Sequence, residues 1–315
     1  MPAQAPPASV REFHQSQWGE ELSRQVARQA VDWLAEDLGH ECDWTSVGLI
    51  AADAVSELDV VARRAGVIAG LHGAAVVAGV ADASLRWRPL VADGDAVEPG
   101  TRIATLSGST RSILATERVV LNLLGRLSGV ATATRRLVDA VAGTACRVYD
   151  TRKTVPGWRL LDKYAVRMGG GWNHRLGLYD AVLVKDNHLA ALAAAGVAPE
   201  EAVRRAREFL RKTFNPARAD AMIVEIELDS LDRLPAVLAA EPDIVLLDNM
   251  APAMLAAGVQ IRDAAHSRVV LEASGGIRPE TVAEIAATGV DRVSTGWPTH
   301  DAPWLDVALD WGGRR

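Results

Sequence analysis

The stretch "DTRKTVPGWRLLDKYAVRMGGGWNHRLGLYDAVLVKDNHL", residues 150–189, places Arg152, Lys153, Arg159, Lys163, Arg167, His174, Arg175 and Lys185 around a three-glycine turn. Cations at this density suit a ligand with several negative charges. Arginine's planar fork grips a carboxylate through two hydrogen bonds, and lysine supplies a compact point charge. The chain as a whole carries a formal net charge of −6, so the positive character is local. That balance gives no reason to expect nucleic acid or an anionic membrane as partner. Arg159, Lys163 and Arg167 fall at helical spacing after Pro156 and read as a solvated helix face, as does "RRAREFLRK" (204–212). Arg175 directly follows the glycine turn, and Lys185 follows the apolar "AVLV". A lysine ending a buried strand is either paired or working.

Two glycine-bearing loops add a second kind of chemistry. "SGGI" (274–277) follows an apolar run and precedes a helix expected near Pro279. Glycines let backbone N–H groups approach a ligand, and a helix N-terminus favours an anion. "STG" (294–296) is a second loop of this sort. Glu227 and Asp248 each end an apolar run. They could balance buried cations, hold a divalent metal through oxygen, or stabilise positive charge developing on a sugar.

The elements that must position these groups have a regular pattern. Six apolar, β-branched runs recur from Cys146: "CRVYDT" (146–151), "DAVLVKD" (180–186), "AMIVEIEL" (221–228), "DIVLLDN" (243–249), "RVVLEAS" (268–274) and "DRVSTG" (291–296). Helical segments such as "SLDRLPAVLAAE" (230–241) and "PETVAEIAATG" (279–289) separate them. Strands alternating with helices imply a parallel sheet buried on both faces. An α/β barrel and an open doubly wound sheet both fit, but no G-x-G-x-x-G opens the first turn. The runs end in Thr151-Arg152-Lys153, Lys185, Glu227, Asp248, Ser274 and Thr295. In a barrel those ends converge on one face, where active sites lie.

The first part of the chain looks mixed. "WGEELSRQVARQAVDWLAEDLG" (18–39) has helical spacing closed by Gly39. "LDVVARRAGVIAGL" (58–71) and "RIATLSG" (102–108) are β-rich, with the turn cluster "DGDAVEPG" (93–100) between them, and 116–143 reads as a helix pair interrupted near Ser128–Gly129. "AGVIAGLHGAAVVAGVA" (65–81) reads as a strand and a packed helix, because it is short for a membrane span and carries His72. The Ala/Pro-rich start has no signal-peptide pattern and reads as a tail. Cys42 and Cys146 lack metal-ligand spacing and read as small buried hydrophobes in a reducing cytoplasm.

With these residues in view, the chain resembles the nicotinate-nucleotide pyrophosphorylases, the decarboxylating quinolinate phosphoribosyltransferases. The resemblance runs through "EDLG" (36–39) with "TS" (45–46), "ERVVLNLLGRLSGVAT" (117–132), the long central motif, "VEIELDSLD" (224–232), "VLLDN" (245–249), "LEASGGI" (271–277) and "GVDRVSTG" (289–296). It implies an α/β fold: an N-terminal α/β sandwich domain (17–129) after a disordered tail (1–16), an incomplete parallel α/β barrel (130–296), and a C-terminal segment (297–315) packing back on the first domain. It implies a cytoplasmic pentosyltransferase of NAD biosynthesis that joins quinolinate to phosphoribosyl pyrophosphate, releasing pyrophosphate and CO₂. It also implies a homodimer or higher oligomer with shared sites, no nucleic-acid or membrane partner, Mg²⁺, and no organic cofactor.

Residue by residue, the resemblance assigns Arg152, His174, Arg175 and Lys185 to quinolinate and Lys153, beside Thr151, to the pyrophosphate side. Glu227 and Asp248 face the ribose and Mg²⁺, directly or through water. Ser274, Gly275, Gly276, Thr295, Gly296 and Trp297 hold the 5′-phosphate, and Arg118 reaches a neighbouring subunit's site. Lys153, Glu227 and Asp248 are the expected catalytic groups. Trp297-Pro298 departs from the small and aliphatic residues expected after "STG", with the Trp297 backbone N–H still expected on the phosphate. "EFLRKTFNPARADAM" (208–222) is longer than the connection requires and is expected on the barrel exterior. The alternatives are a relative of the same fold with another acceptor, a Schiff-base aldolase barrel using Lys185, which needs that lysine in an apolar pocket, and a non-catalytic anion-binding protein.

Overall fold

A computed structural model of the chain describes residues 11–311; the expectations for 1–10 and 312–315 lie outside the described residues. The chain forms two compact units, neither continuous in sequence. One comprises Ser16–Arg135, Val155–Gly170 and 301–311; the other comprises 11–15, Arg136–Thr154 and Gly171–His300. Grouped by contacts, 155–170 falls with the first unit and the helix at 297–300 with the second.

The first unit contains α1 (Glu20–Leu38), α2 (Trp44–Leu49), β1 (Val55–Ala62), β2 (Gly66–Val67), α3 (Leu71–Ala81), β3 (Arg86–Pro89), β4 (Ala96–Val97), β5 (Arg102–Ser109) and most of α4 (Thr110–Ala140). The barrel unit follows with β6 (Arg147–Tyr149), β7 (Ala181–Val184), α6 (Asp186–Ala193), α7 (Pro199–Thr213), α8 (Pro216–Ala221), β8 (Ile223–Leu228), α9 (Leu234–Leu238), β9 (Ile244–Asp248), α10 (Pro252–Ala264), β10 (Val270–Ser274), α11 (Val282–Ala286), β11 (Arg292–Ser294) and α12 (Trp297–His300). Between β6 and β7, α5 (Arg159–Met168) returns to the first unit, as does the last strand, β12 (Val307–Trp311).

In the first unit an antiparallel sheet has the order β12-β1-β5-β3. Its core joins Leu22, Val26 and Ala30 of α1 to Val60 and Ile103 of the sheet and Leu123, Leu124 and Leu127 of α4. The helix expected over 18–39 is α1, and Gly39 ends it with φ +61, a left-handed conformation natural for glycine. The expected interruption near Ser128–Gly129 is absent: α4 is one helix of 31 residues. Tertiary contacts explain both residues. Ser128 Oγ accepts the Ala69 N–H at 3.0 Å, and a Cβ at position 129 would collide with the Pro303 carbonyl. Lys163 on α5 corrects the solvated-face reading, because it is fully buried. Cys146 is buried and Cys42 only partly so.

All six apolar runs are strands of one parallel sheet ordered β6-β11-β10-β9-β8-β7. The first and last strands do not pair, and a parallel bridge from Tyr149 to Trp172 extends the β6 edge. The barrel is thus incomplete. Alternation along each strand sorts the side chains onto two faces. Val148, Val224, Ile226, Val245, Leu247, Leu271 and Val293 share one large core with the helices. On the opposite face Tyr149, Ala181, Ile223, Ile244 and Val270 close on Phe13. The extension at 208–222 forms the end of α7 and α8 and carries the exposed pair Lys212–Glu208.

Candidate active site at the mouth of the barrel

The inner-face alternation carries polar groups toward the strand ends. On β8 the series is Ile223, Glu225, Glu227; on β10 it is Val270, Glu272, Ser274; on β11 it is Arg292, Ser294. β9 delivers Asp248 in register with Ser274, and Ser274 in register with Ser294. The strand-end residues read from the sequence therefore do gather at one end of the sheet.

Lys185 donates from Nζ to Glu227 Oε2 at 2.5 Å, with the lysine side chain 44% exposed and the glutamate 11%. Asp248 accepts from Asn249 Nδ2 at 2.6 Å. Arg175 is buried, and that burial, followed by the nearby Arg152 guanidinium, pulls its pKa below the usual arginine value; Glu225 and Asp180 act the other way. The buried Nε of Arg152 has no hydrogen-bond partner among the described residues. The Arg152 charge thus acts on buried Arg175, and Arg152 keeps an unused donor.

Thr151 Oγ1 accepts the Lys153 N–H at 3.0 Å, which turns the chain after β6, and Lys153 is exposed. Its Cδ lies 3.0 Å from where a Cβ on Gly296 would be, so the absence of a side chain there lets the lysine lie across the second glycine loop. Thr299 Oγ1 sits 2.7 Å from the Lys153 carbonyl. In the first glycine loop Gly275 has φ +95 and Gly276 φ +61, and a Cβ on Gly275 would collide with the Asn249 side chain. The N–H groups of Gly275, Gly276 and Gly296 donate to no protein acceptor among the described residues, which leaves them for an anion. The helix expected to begin near Pro279 begins at Val282 and has five residues.

Three of the expected site residues, Trp297, Thr295 and His174, already have partners within the protein. The Trp297 N–H already donates to Thr295 Oγ1 at 3.1 Å, and its indole lies 5.4 Å from the Arg136 guanidinium. Thr295 is buried, and its hydroxyl donates to the Ile277 carbonyl at 2.8 Å, which ties the two glycine loops together. His174 has both ring nitrogens engaged away from the mouth. Its Nδ1 accepts the Arg175 N–H at 2.8 Å, so the ring proton sits on Nε2, 3.1 Å from Glu225 Oε2 and 3.6 Å from Glu272 Oε1. Arg118 lies in the other unit, on α4, with its side chain 63% exposed and 3.9 Å from Glu117.

Sequence reasoning missed the layer beneath the mouth. Glu225, Glu272 and Arg292 are buried. Burial pushes both carboxyls up to about 7, and Arg292 pulls them back. The His174, Glu225 and Glu272 ligand atoms lie within 4.8 Å of one another, and Arg292 supplies the compensating positive charge. The signal was present in "VEIEL" and "VLEAS", where acids at alternate positions of an apolar strand mark a polar interior.

Taken together, a parallel barrel whose strand ends offer paired guanidiniums, free glycine N–H groups and two carboxylates defines a group-transfer enzyme for multiply anionic substrates. Comparison with known proteins makes this specific. Residues 130–310 match the C-terminal domain of quinolinate phosphoribosyl transferase, and 43–128 match its N-terminal domain. Nicotinate-nucleotide pyrophosphorylase (carboxylating) of Mycobacterium leprae is 41% identical over 294 residues, 92% of this chain and 97% of that protein. The Arabidopsis thaliana chloroplastic protein of the same description is 38% identical over 288 residues, 88% of this chain and 80% of its own. The nicotinate-nucleotide pyrophosphorylase structure from Francisella tularensis superposes with TM-score 0.83 at 35% identity, covering 95% of this chain and 99% of that one. The chain belongs to the quinolinate phosphoribosyltransferase family, pentosyltransferases of de novo NAD biosynthesis. Among the described residues no helix is long and apolar enough to cross a membrane.

Proposed function

We propose that Arg152 and Arg175, with Lys185, bind the two carboxylates of quinolinate at the barrel mouth. The unused buried Arg152 Nε carries this reading, together with the Arg152 charge acting on buried Arg175, which Glu225 and Asp180 offset only in part and a dianion would complete. Gly275, Gly276 and Gly296 offer N–H groups to the 5′-phosphate of phosphoribosyl pyrophosphate, and Lys153, lying over Gly296, meets the pyrophosphate.

The pyridine nitrogen attacks the anomeric carbon as the bond to pyrophosphate breaks. Positive charge then develops on the sugar, where Glu227 and Asp248 stabilise it. The quaternised ring accepts the electron pair left by departing CO₂, and a proton takes the vacated carbon. No protein nucleophile is required, so positioning and electrostatics supply the catalysis. Glu227 and Asp248 on neighbouring strands form a hard-oxygen donor pair, which fits Mg²⁺, an ion usually held by one or two carboxylates together with substrate phosphates. When bound, Mg²⁺ would offset charge on the leaving pyrophosphate.

Arg118 is assigned to a neighbouring subunit's site in a homodimer, a role its exposed side chain allows. Lys185, paired to a carboxylate and not set in an apolar pocket, does not suit Schiff-base chemistry. The test is product mass after incubation with phosphoribosyl pyrophosphate, Mg²⁺ and either quinolinate or nicotinate. Nicotinate mononucleotide from quinolinate alone is expected; product only from nicotinate would overturn the acceptor assignment. Mixing Arg118→Ala with Lys153→Ala protein should restore partial activity through hybrid dimers, and no regain after verified subunit exchange would refute the shared site.

A further inference from the structure

We propose that residues 13–15, near the N-terminus, are a positioning strap that holds the Arg175 loop in its binding geometry. Arg175 lies between Gly171 and Asp180, a stretch with no helix and only one isolated bridge. Something other than a strand ladder must fix a guanidinium carried on such a loop. Asp150 accepts from Asn173 Nδ2 and the His174 N–H, each at 2.8 Å. Beside the His174 contacts to Glu225 and Glu272 and the Arg175 Nη1 bond to the Ala181 carbonyl at 3.4 Å, a group of contacts comes from three consecutive residues far away in sequence.

The Phe13 ring stacks on His174, with centroids 4.3 Å apart and planes at 25°. Gln15 Oε1 accepts the Asn173 N–H at 2.8 Å, and Gln15 Nε2 donates to the Asn173 carbonyl at 3.0 Å. One side-chain amide thus imitates a strand neighbour. The His14 ring meets Asp180 Oδ1, and Asp180 Oδ2 accepts the Leu176 N–H at 2.9 Å. Arg175 is therefore flanked on both sides by backbone that the strap controls, and its own N–H rests on the ring that Phe13 covers.

The strap is itself anchored. Glu12 accepts from Tyr149 Oη at 2.7 Å and Arg147 Nη1 at 3.1 Å, and Arg11 pairs with Asp243 at 2.9 Å. The sequence places these residues in a tail, yet Phe13 is only 4% exposed. The physical consequence is selective. A small displacement of a group that aligns a reactant is costly in rate, and here the displaced group serves the acceptor alone.

The inference rests on Arg175 binding quinolinate, so Arg175→Lys is measured alongside. Steady-state kinetics of Gln15→Ala, Phe13→Leu and Phe13→Tyr in the full chain should separate the two substrates. Losing both Gln15 hydrogen bonds is expected to raise the quinolinate KM by about fivefold to tenfold, and Phe13→Leu to act in the same direction. The phosphoribosyl pyrophosphate KM should stay within about twofold, which corresponds to roughly 0.4 kcal/mol. Phe13→Tyr, which keeps the stacked ring, should restore the quinolinate KM. Equal changes in both KM values, or none, would overturn the strap while leaving the acceptor site standing. An unchanged quinolinate KM in Arg175→Lys would remove the acceptor assignment and the strap with it. Should Phe13→Leu not fold, Gln15→Ala decides the matter, with calorimetric titration of quinolinate below its melting temperature as the second readout.

Discussion

Charge sits in the barrel at two depths, and the protein treats the two differently. At the mouth, Lys185 and Glu227 form a pair that solvent reaches, Arg152 keeps an unused donor, and Arg175 is crowded by its neighbour. One layer down, Glu225, Glu272 and Arg292 are shut away from water and offset one another beside the His174 Nε2–H. The same residue types therefore do opposite work. On the proposed reading the unused donor at the mouth suits a substrate, whereas the layer below is balanced by charge between side chains, with Glu225 Oε2, both Glu272 oxygens and Arg292 Nη1 making no hydrogen bond among the described residues.

Removing the support should be the most damaging change. Arg292→Leu strands two buried acids and should cost about 3–5 kcal/mol of stability, read as a shifted urea midpoint. Arg152→Ala acts at the mouth, where the loss should fall on activity instead. About 1.5–3 kcal/mol of charged hydrogen bonding should disappear from kcat/KM for quinolinate with the urea midpoint nearly unchanged. If Arg152→Ala proved as destabilising as Arg292→Leu, the distinction between the two depths would fail. Gly275→Ala should cost about 1–3 kcal/mol, because φ +95 and the nearby Asn249 side chain both oppose a Cβ. That loss should appear in phosphoribosyl pyrophosphate binding.

The buried layer also makes a pH prediction. Glu225 and Glu272 titrate near 7 in the folded chain and near their ordinary 4.5 when unfolded. Between those values the folded state holds protons that the unfolded state has released, so stability from this pair falls as pH rises through the window. Glu272→Gln, which retains the shape of the protonated acid, should flatten the fall in melting temperature between pH 5 and pH 7 (about the window those values set). An identical slope in both proteins would show that the pair is ionised throughout. The smallest effect is expected at Trp297. Trp297→Phe keeps the backbone N–H bond to Thr295 and an aromatic ring beside Arg136, so it should change kcat/KM by about twofold or less.

Much of this site is visible in one dimension. Strand-ending Lys185, Glu227, Asp248 and Ser274 can be located because a buried parallel strand needs an apolar run, and the first residue beyond that run reaches the mouth. Helix α4 was misread at Ser128–Gly129 for a reason outside its local sequence: small residues there admit the chain at Pro303 and bind Ala69. The packed residues 12–15 were hidden for a similar reason. A short segment has no periodicity of its own, and its partners, Asn173, His174 and Asp180, lie about 160 positions away.

The sequence by itself determined the six-strand parallel architecture, the cationic segment, the glycine loops and the family, since all of these are matters of local composition and spacing. Tertiary structure alone decided which charges face a ligand and which face each other. Glu225 and Glu227 are two residues apart on the same strand face, yet one is fully buried and the other reaches Lys185 at the mouth. Depth in a barrel comes from strand packing and from what plugs the interior, here Phe13 and Tyr149, and no window of neighbouring residues encodes it.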